Sequence, residues 1–447
     1  MEILVIAVFI LGYAAIALEH NIKIDKAASA LVTGMICWAL FSFSIGGSSH
    51  EVQHIINHGS GGEHGGLVNH LYEIASILFF LMGAMTIVEL VDAHEGFSVI
   101  TDRIKTKNAT KLLWIVCFLT FFLSAVLDNL TTTIVMISLL RKLVKEKEMR
   151  WLFVGMVVIA ANAGGAWSPI GDVTTTMLWN AGNLPNVGKM IVDLILPSLV
   201  AILVPMLVLG YKLKGKELER PLKAEGIEHY SNPTTSGERN LVFIMGIGGL
   251  IFVPVFKTIT HLPPFTGMML SLGILWITTE IIHRAKNKED KHDLSVIGVL
   301  QKIDVASVLF FLGILMAVAA LQEFGHLKAL AQFLDEKIGN IFAINISIGF
   351  LSAIVDNVPL VAAAQGMYRE SMMAAAQGSA FAADGTFWQF LAYCAGVGGS
   401  SLIIGSAAGV AAMGLEKIDF GWYLKKISWL AVLGYLAGAL VYFLLFS

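Results

Sequence analysis

The sequence has little charge for its length. Of 447 residues, 30 are lysine or arginine and 33 are aspartate or glutamate, so that 14% are charged while 56% are hydrophobic. A soluble protein of this size carries far more charge, and the composition instead indicates a protein with many membrane-spanning helices. The net charge of −3 provides no basic surface, so nucleic acid is excluded as an expected partner.

Cysteine is also scarce. Cys37, Cys117 and Cys394 lie in apolar segments without a regular spacing, which excludes a disulfide framework and a zinc site. The sequence predicts no cofactor. Glycine, in contrast, is abundant at 43 residues, which suits close packing of membrane helices. We expect residues 1–18, which are apolar and lack a basic leader, to form a first membrane helix and not a cleaved signal peptide.

Ten apolar runs are long enough to cross a bilayer, which takes about 20 residues. They lie near residues 1–18, 28–45, 72–92, 150–182, 188–211, 240–256, 265–283, 303–323, 387–413 and 427–446. Two further apolar blocks, 110–142 and 338–366, each contain an Asp-Asn pair near the middle. We predict that each block forms a re-entrant hairpin of two short half-helices. Irregular backbone at membrane depth is tolerated where protein or a wet cavity surrounds it.

Three sequence blocks occur twice in the same order. The pairs are residues 73–81 (EIASILFFL) with 304–312 (DVASVLFFL), 124–129 (SAVLDN) with 352–357 (SAIVDN), and 164–171 (GGAWSPIG) with 398–405 (GGSSLIIG). Five full spans in each copy is an odd number, which makes the second copy inverted. We therefore predict an all-α polytopic membrane protein with two inverted-topology repeats, each with five spans, one re-entrant hairpin and one broken helix.

The predicted repeats have definite bounds. Repeat 1 covers residues 1–211, with its hairpin at 110–142 and its broken helix at 150–182. Repeat 2 covers residues 240–447, with its hairpin at 338–366 and its broken helix at 387–413. Lysine and arginine cluster at the ends of alternate spans, which places those ends in the cytoplasm and both termini outside. The charged segment 212–239 is then a cytoplasmic linker.

The hairpin acids, Asp128 and Asp356, are each followed by an asparagine, Asn129 and Asn357. An acid inside a membrane segment is costly and indicates a functional site by default. Each acid lies where a half-helix ends, so unpaired carbonyls and carboxylate oxygens together suit a small cation. The structural alternative is that each Asp caps the following half-helix, and we expect capping to accompany ion binding.

The first broken helix carries a third acid, Asp172. Residues 162–175 read NAGGAWSPIGDVTT, and their glycines and proline cannot continue a regular helix. The other side-chain oxygens of this stretch belong to Asn162, Ser168, Thr174 and Thr175. The matching stretch of repeat 2 offers Ser400 and Ser401 but no acid, so the predicted site is asymmetric. The alternative here is a helix kink stabilised by local Ser and Thr hydrogen bonds.

Further polar side chains are candidates for lining the site. In the hairpins these are Ser124, Thr131, Thr132 and Ser352. The serines precede their acids by one helical turn, on the same face, although small residues there also permit close helix packing. Pro359 replaces Thr131 in the second hairpin, so the tips cannot bind identically. Glu89 is a possible proton relay, or else an interfacial acid that reaches water.

The loop at 46–71 holds five histidines. We predict a hydrated loop, with metal binding or pH sensing as the alternative. The acids of the broken elements carry the stronger signal. A cation and protons compete for such carboxylates, because a protonated Asp is a poor ligand. That competition, together with alternating access, is sufficient for cation/proton antiport.

Residues 127–132 (LDNLTT), the stretch 162–175 and residues 355–359 (VDNVP) resemble the NhaD-type sodium/proton antiporters of the ion transporter superfamily. The resemblance implies a secondary transporter, not an enzyme, that exports sodium and lithium in exchange for protons. It implies a homodimer in the bacterial inner membrane, for which the outside position of both termini predicted from lysine and arginine is the periplasm. The family-type residues that would bind sodium and protons are Asp128, Asn129, Asn162, Asp172, Thr174, Thr175, Asp356 and Asn357.

Two other functions are compatible with parts of the pattern. A sodium-coupled dicarboxylate symporter of the same superfamily is one, but acidic hairpin tips oppose an anionic substrate electrostatically. An intramembrane aspartyl hydrolase that uses Asp128 and Asp356 as a paired acid and base is the other. The surrounding amides and hydroxyls suit ion binding better than hydrolysis.

Overall fold

A computed structural model describes residues 2–17, 19–45, 66–97, 104, 106–219, 234–284, 286, 292–354 and 356–446. Regular structure within these ranges is helical. In chain order the helices are α1 (Glu2–Ala17), α2 (Glu19–Ile22), α3 (Lys26–Ser44), α4 (Leu67–Ala93), α5 (Ala109–Leu127), α6 (Asn129–Leu143), α7 (Lys147–Gly165), α8 (Val173–Asn180), α9 (Val187–Lys212), α10 (Ser236–Thr260), α11 (Pro264–Ile282), α12 (Val296–Leu300), α13 (Val305–Glu323), α14 (His326–Lys337), α15 (Ile341–Ser352), α16 (Asn357–Met367), α17 (Arg369–Ala374), α18 (Thr386–Gly398), α19 (Ala407–Glu416), α20 (Phe420–Tyr423) and α21 (Trp429–Phe446).

Eight helices in the described ranges are long and apolar enough to cross a bilayer. They are α3, α4, α5, α9, α10, α11, α13 and the helix that runs from Phe420 to Phe446 through α20 and α21. This helical, apolar architecture confirms that the chain is a polytopic membrane protein.

Two helices meet at each Asp-Asn pair, and we call each such pair of helices a hairpin. The first hairpin consists of α5 and α6, which meet at Asp128, and the second consists of α15 and α16. The second has arms of 12 and 11 residues, as half-helices should. The prediction of short half-helices is wrong for the first hairpin, because α5 has 19 residues. It extends back to Asn108, whose side chain caps it, and the Ala109 amide bonds to the linker carbonyl of Lys216 at 3.0 Å.

Two further pairs of helices are each interrupted at a glycine-rich stretch, and we call each pair a broken helix. The first consists of α7 and α8, and the second of α18 and α19. Their breaks contain Pro169 and Gly171 in one case and Gly405 in the other. After each break a side chain caps the second segment, Asp172 for α8 and Ser406 for α19. A carboxylate or a hydroxyl serves equally well as an N-cap.

Each hairpin packs closely against the broken helix that follows it. A Cβ atom at Gly164 would lie 2.3 Å from the Phe121 carbonyl oxygen of α5. In the second half, a Cβ atom at Gly398 would lie 2.3 Å from the Gly349 carbonyl oxygen of α15. Glycine is therefore required at both crossings, since any side chain would separate the two backbones.

Serine hydroxyls bind across the same two crossings. Ser124 donates to the Ala161 carbonyl at 2.6 Å, and Ser352 donates to the Ala395 carbonyl at 2.8 Å. Both serines are fully buried. The two crossings thus share a close backbone contact and a serine bond, which fixes each hairpin tip at the level of a helix break.

The hairpins and broken helices, with α9 and the Phe420–Phe446 helix, pack into one group of helices. We call these the central group. Helices α1, α3, α4, α10, α11 and α13 pack mainly on one another at its side, and we call them the flanking group. At one end of the central group, buried Glu416 accepts hydrogen bonds from Arg141 Nε at 2.6 Å and Arg150 Nε at 2.7 Å. We call the end of the central group that carries Arg141 and Arg150 the basic end. The bond from Arg141 joins the first hairpin to the second broken helix.

Candidate ion-binding site

Asp172 lies at the centre of a cluster that both hairpins reach. Its side chain is 1% exposed. Oδ1 accepts hydrogen bonds from the Thr174 amide at 2.9 Å and the Thr174 hydroxyl at 2.8 Å, as an N-cap of α8. Asn129 Nδ2 of the first hairpin donates to Oδ2 at 2.7 Å. Asn357 Nδ2 of the second hairpin lies 3.4 Å from both oxygens. The two hairpin tips therefore meet at one carboxylate.

Asn162 extends this cluster to the second broken helix. Its Oδ1 accepts a hydrogen bond from Asn129 Nδ2 at 3.0 Å. Its Nδ2 donates to Ser406 Oγ at 2.8 Å and to Ser400 Oγ at 3.4 Å. Ser406 was not among the predicted site residues. The signal for it was available, because Ser406 follows the block 398–405 as Asp172 follows the block 164–171.

Asp128 caps the second arm of its hairpin in a strained conformation. Its φ of 86° and ψ of 163° fall in a region that is essentially confined to glycine. Its oxygens accept hydrogen bonds from the Thr131 amide and the Thr131 hydroxyl, both at 2.8 Å. The side chain is half-buried and lies within electrostatic range of Asp172. The expectation that Asp128 acts as a cap is confirmed.

Asp356 occupies the matching position and has fewer partners among the residues that the structure describes. It caps α16 through a hydrogen bond from the Val358 amide at 3.4 Å. The next residue, Pro359, has no amide hydrogen to donate. Asp356 is half-buried, and its charge acts on both Asp172 and Tyr13 of α1. Tyr13 is not among the predicted site residues, although it is a lone hydroxyl in an apolar helix.

The three aspartates do not form a closed set of ligands in this conformation. No group of three or more His, Cys, Asp or Glu side chains in the described ranges has the geometry of a metal site. A cation beside Asp172 would need amide and hydroxyl oxygens as well. Two predicted lining hydroxyls, Thr132 and Ser401, are buried and lack a hydrogen-bond partner among the described residues. They are available as ligands for an ion or its water.

Comparison with known proteins places the chain in a family. A family model described as citrate transporter matches residues 3–388. Sodium/proton antiporter 1 of Arabidopsis thaliana is 46% identical over 437 residues, which cover 97% of this chain and 71% of the relative. Sodium/proton antiporter 2 of the same plant is 43% identical over 438 residues, 97% of each chain. The Na(+)/H(+) antiporter NhaD of Vibrio cholerae is 30% identical over 469 residues, 98% of this chain and 90% of the relative.

The chain belongs to the NhaD-type antiporters of the ion transporter superfamily. Members of this family are transporters, so the chain is not an enzyme. The resemblance found in the hairpin and broken-helix motifs is thereby confirmed.

In this NhaD-type chain, several predicted lining residues and the predicted ion-binding residue Thr175 donate hydrogen bonds to backbone carbonyls of the site. Ser124 and Ser352 donate to broken-helix carbonyls, as described above. Ser168 Oγ donates to the Ala125 carbonyl, and Thr175 Oγ1 donates to the Asp172 carbonyl at 2.9 Å. Ser400 Oγ donates to the Val397 carbonyl at 2.7 Å while it accepts from Asn162.

Glu89 lies apart from these contacts, near the end of α4, and is partly exposed. The nearby His94 is fully buried, and its Nε2 lies 2.7 Å from Nε2 of His283, which follows α11. Burial lowers the pKa of His94, and burial with the neighbouring His94 lowers the pKa of His283 to about 4. The pair is therefore neutral near pH 7 and links α4 to α11 without charge.

The role predicted for the histidine-rich loop 46–71 concerns residues that lie mostly outside the described ranges. Within the described ranges, His70 lies in the first turn of α4, and its Nε2 lies 2.9 Å from Glu323 Oε1 at the end of α13. This contact joins two helices of the flanking group.

Proposed function

We propose that this chain exchanges sodium for protons, and that Asp172 is the carboxylate for which the two cations compete. The observation that carries the proposal is the position of Asp172. It is buried among apolar helices, yet amides from both hairpin tips converge on it. A buried carboxylate without a fixed positive partner is costly, and a transported cation is a partner that can arrive and leave.

The amides supply a means of exchange. Asn129 and Asn357 present NH₂ groups to Asp172, which partly compensates its charge when no ion is bound. Rotation of each amide about its last side-chain bond would turn the carbonyl oxygen toward Asp172 instead. Carboxylate, amide and hydroxyl oxygens are the ligands that hard cations prefer. The same residues therefore suit both an empty site and a sodium-filled one.

Asp128 and Asp356 add negative charge on either side. Each acts on Asp172 electrostatically, so a sodium ion entering the cluster lowers the repulsion among three acids. Protons reduce the same repulsion by neutralising a carboxylate. Occupation by sodium and occupation by protons thus exclude each other, which is the requirement for antiport.

We further propose that the two halves are inverted repeats and that the basic end faces the cytoplasm. The matched glycine and serine contacts of the two crossings support the repeat, and Arg141, Lys142 and Arg150 at one end support the orientation. Sodium would then leave the cytoplasm as protons enter, with both termini outside. We extend the proposal to lithium, to a homodimer, and to the inner membrane for a bacterial host.

Transport of a di- or tricarboxylate is the rival that the description of the matching family model brings forward. Three aspartates around one cluster oppose the entry of another anion. The names of the full-length relatives agree with cation exchange. We therefore place antiport first and include the carboxylates in the test.

The test uses everted membrane vesicles with a fluorescent dye that reports the pH difference. After respiration acidifies the lumen, sodium, lithium, potassium, succinate and citrate are added in turn. Sodium should dissipate the pH difference in a manner that depends on the chain, with lithium acting similarly and potassium weakly. Dissipation by succinate or citrate without a response to sodium alone would contradict the proposal.

A further inference from the structure

A partly enclosed cavity of about 670 Å³ lies between the central and flanking groups. It is located at the ends of the helices opposite the basic end. One wall consists of residues from α4, α13 and the turn between α10 and α11, and the other consists of residues from α8, α16 and α17. Its lining includes the polar side chains of Asn180, Asn183, Gln322 and Gln365. Polar side chains in a cavity open to solvent provide hydrogen-bond partners for water.

The cavity approaches the ion site along two helices. Met177 of α8 and Ala362 of α16 both line it. Met177 follows Asp172 by five residues, and Ala362 follows Asn357 by five residues. At 1.5 Å per residue, the cavity lies about 8 Å from the site along either helix axis. A path from this space to Asp172 is therefore short.

Lys257 joins the two walls of the cavity. It belongs to α10 of the flanking group, and its ammonium group donates to the Trp179 carbonyl of α8 at 3.0 Å. The same group lies 4.3 Å from the centre of the Trp179 ring. A cation is favoured at the negative C-terminal end of a helix and over an indole face. Asp172 caps the other end of α8, so one two-turn helix connects Lys257 with the ion site.

A second contact holds α16 to the segment after α8. Gln365 Nε2 donates to Asn183 Oδ1 at 2.7 Å and lies 3.4 Å from the Met177 carbonyl. This bond lies within the central group, whereas the Lys257 bond crosses from one group to the other. A change that moves α8 relative to α10 must therefore break the Lys257 contact.

We propose that this cavity is the external entrance to the Asp172 site, and that Lys257 holds α8 in the position that keeps the entrance open. The inference deepens the proposed function, since it depends on the basic end facing the cytoplasm. Loss of the Lys257 bond shifts the population toward conformations in which the entrance is closed.

Cysteine labelling tests the entrance. The native cysteines are all fully buried, and the test uses a background in which each is replaced by alanine. Ala362→Cys places the thiol in the cavity. Ala364→Cys, on the same helix, is the control for a buried thiol. Ile251→Cys, on the exposed face of α10, is the control for a thiol that contacts lipid and not water. A charged, membrane-impermeant thiol reagent is added from outside to intact cells.

We expect Ala362→Cys to react about tenfold faster or more than either control, and saturating sodium to slow it as the population shifts. Equal reaction rates at all three positions, or reaction of Ala362→Cys with reagent from the cytoplasmic side alone, would contradict the proposal that the cavity is the external entrance.

Lys257 is then changed in the Ala362→Cys background. Lys257→Met should reduce external labelling severalfold, while Lys257→Arg, which keeps the charge and the donor, should restore most of it. Equal labelling in Lys257→Met and its parent would show that the residue does not hold the entrance. Sodium/proton exchange is measured in the same strains. Normal exchange with no labelling of Ala362→Cys refutes the entrance alone, and labelling without exchange refutes the proposed function alone.

Discussion

The two halves of the ion site share a backbone arrangement and differ in the side chains placed on it. Asp172 and Ser406 both cap a short helix after a break, with φ and ψ of −146° and 149° in one case and −151° and 155° in the other. One carries a carboxylate and the other a hydroxyl. A cap position accepts either side chain without a change of fold. One half can therefore keep the charge while the other supplies neutral ligands.

The residues before each break also differ, because a polar side chain of the first half has no counterpart in the second. Asn162 in the first half corresponds to Gly396 in the second, where an added Cβ would lie 3.2 Å from Ala166 Cβ. The first half thus contributes the acid and the bridging amide, and the second contributes space and hydroxyls. A symmetric site would place two buried acids together. The asymmetry leaves one buried acid, Asp172, between two half-buried ones.

The largest expected effect separates Asp172 from Ser406. Asp172→Asn should lower sodium-dependent exchange by about 100-fold or to background, because the charged partner of the ion is lost. Ser406→Ala should lower it by less than about tenfold, because a neutral hydrogen bond is lost. Initial rates of dye response in everted vesicles, corrected for protein amount, measure both. Equal losses of exchange in the two variants would contradict the functional asymmetry of the two cap residues.

The hairpin acids form the next test. Asp128→Asn and Asp356→Asn should each reduce exchange by about tenfold or more, since each removes a charge close to Asp172. Their proteins should remain folded, because Asn also serves as an N-cap. Thermal stability in detergent provides the control. Near-normal exchange in both variants would exclude these acids from the site.

The two tip amides should differ in importance. Asn129 Nδ2 lies 2.7 Å from Asp172, whereas Asn357 Nδ2 lies 3.4 Å away. Asn129→Ala should therefore weaken the apparent sodium affinity by about tenfold, and Asn357→Ala by about threefold. Sodium titrations of the dye response give both values. A larger loss of sodium affinity in Asn357→Ala than in Asn129→Ala would contradict this ranking of the two amides.

A smaller effect is expected at the residues that distinguish the tips. Thr131→Val removes the hydroxyl bond to Asp128 while it keeps the amide bond. Loss of one hydrogen bond, worth about 1 kcal/mol, should lower the sodium affinity a few-fold. Pro359→Thr would give the second tip the missing amide and hydroxyl. If the tips differ for this reason, the apparent affinity should rise or stay level in Pro359→Thr, and a large loss would argue otherwise.

Glu89→Gln should have the smallest effect. Glu89 is partly exposed near the end of α4, outside the Asp172 cluster. We expect exchange to change by less than about twofold, as for an interfacial acid. A loss comparable to that of Asp128→Asn would restore Glu89 as a proton relay.

Much of this arrangement could be predicted from the sequence. The Asp-Asn pairs mark both hairpin tips because they interrupt apolar runs, and glycine and proline mark both breaks because they cannot continue a helix. The length of α5 does not follow from the sequence, since the motif locates the tip of a hairpin and carries no information on where its arm begins. The amphipathic helix α14, at His326–Lys337, was also not predicted.

The centre of the site was not predictable. The sequence presents three acids with equal claims, and Asp172 becomes the centre because Asn357 reaches it across 185 residues of chain. Such contacts arise from helix packing and leave no local pattern. Helix packing also places Tyr13 of α1, at the start of the chain, within electrostatic range of Asp356.

The most direct measurement is proton release on sodium binding. Purified protein in weakly buffered detergent, with a pH indicator, receives sodium chloride or choline chloride at matched concentration. We expect sodium to release protons from the unmodified protein and far fewer from Asp172→Asn, while Ser406→Ala retains most of the release. Undiminished release from a folded Asp172→Asn protein would contradict this expectation.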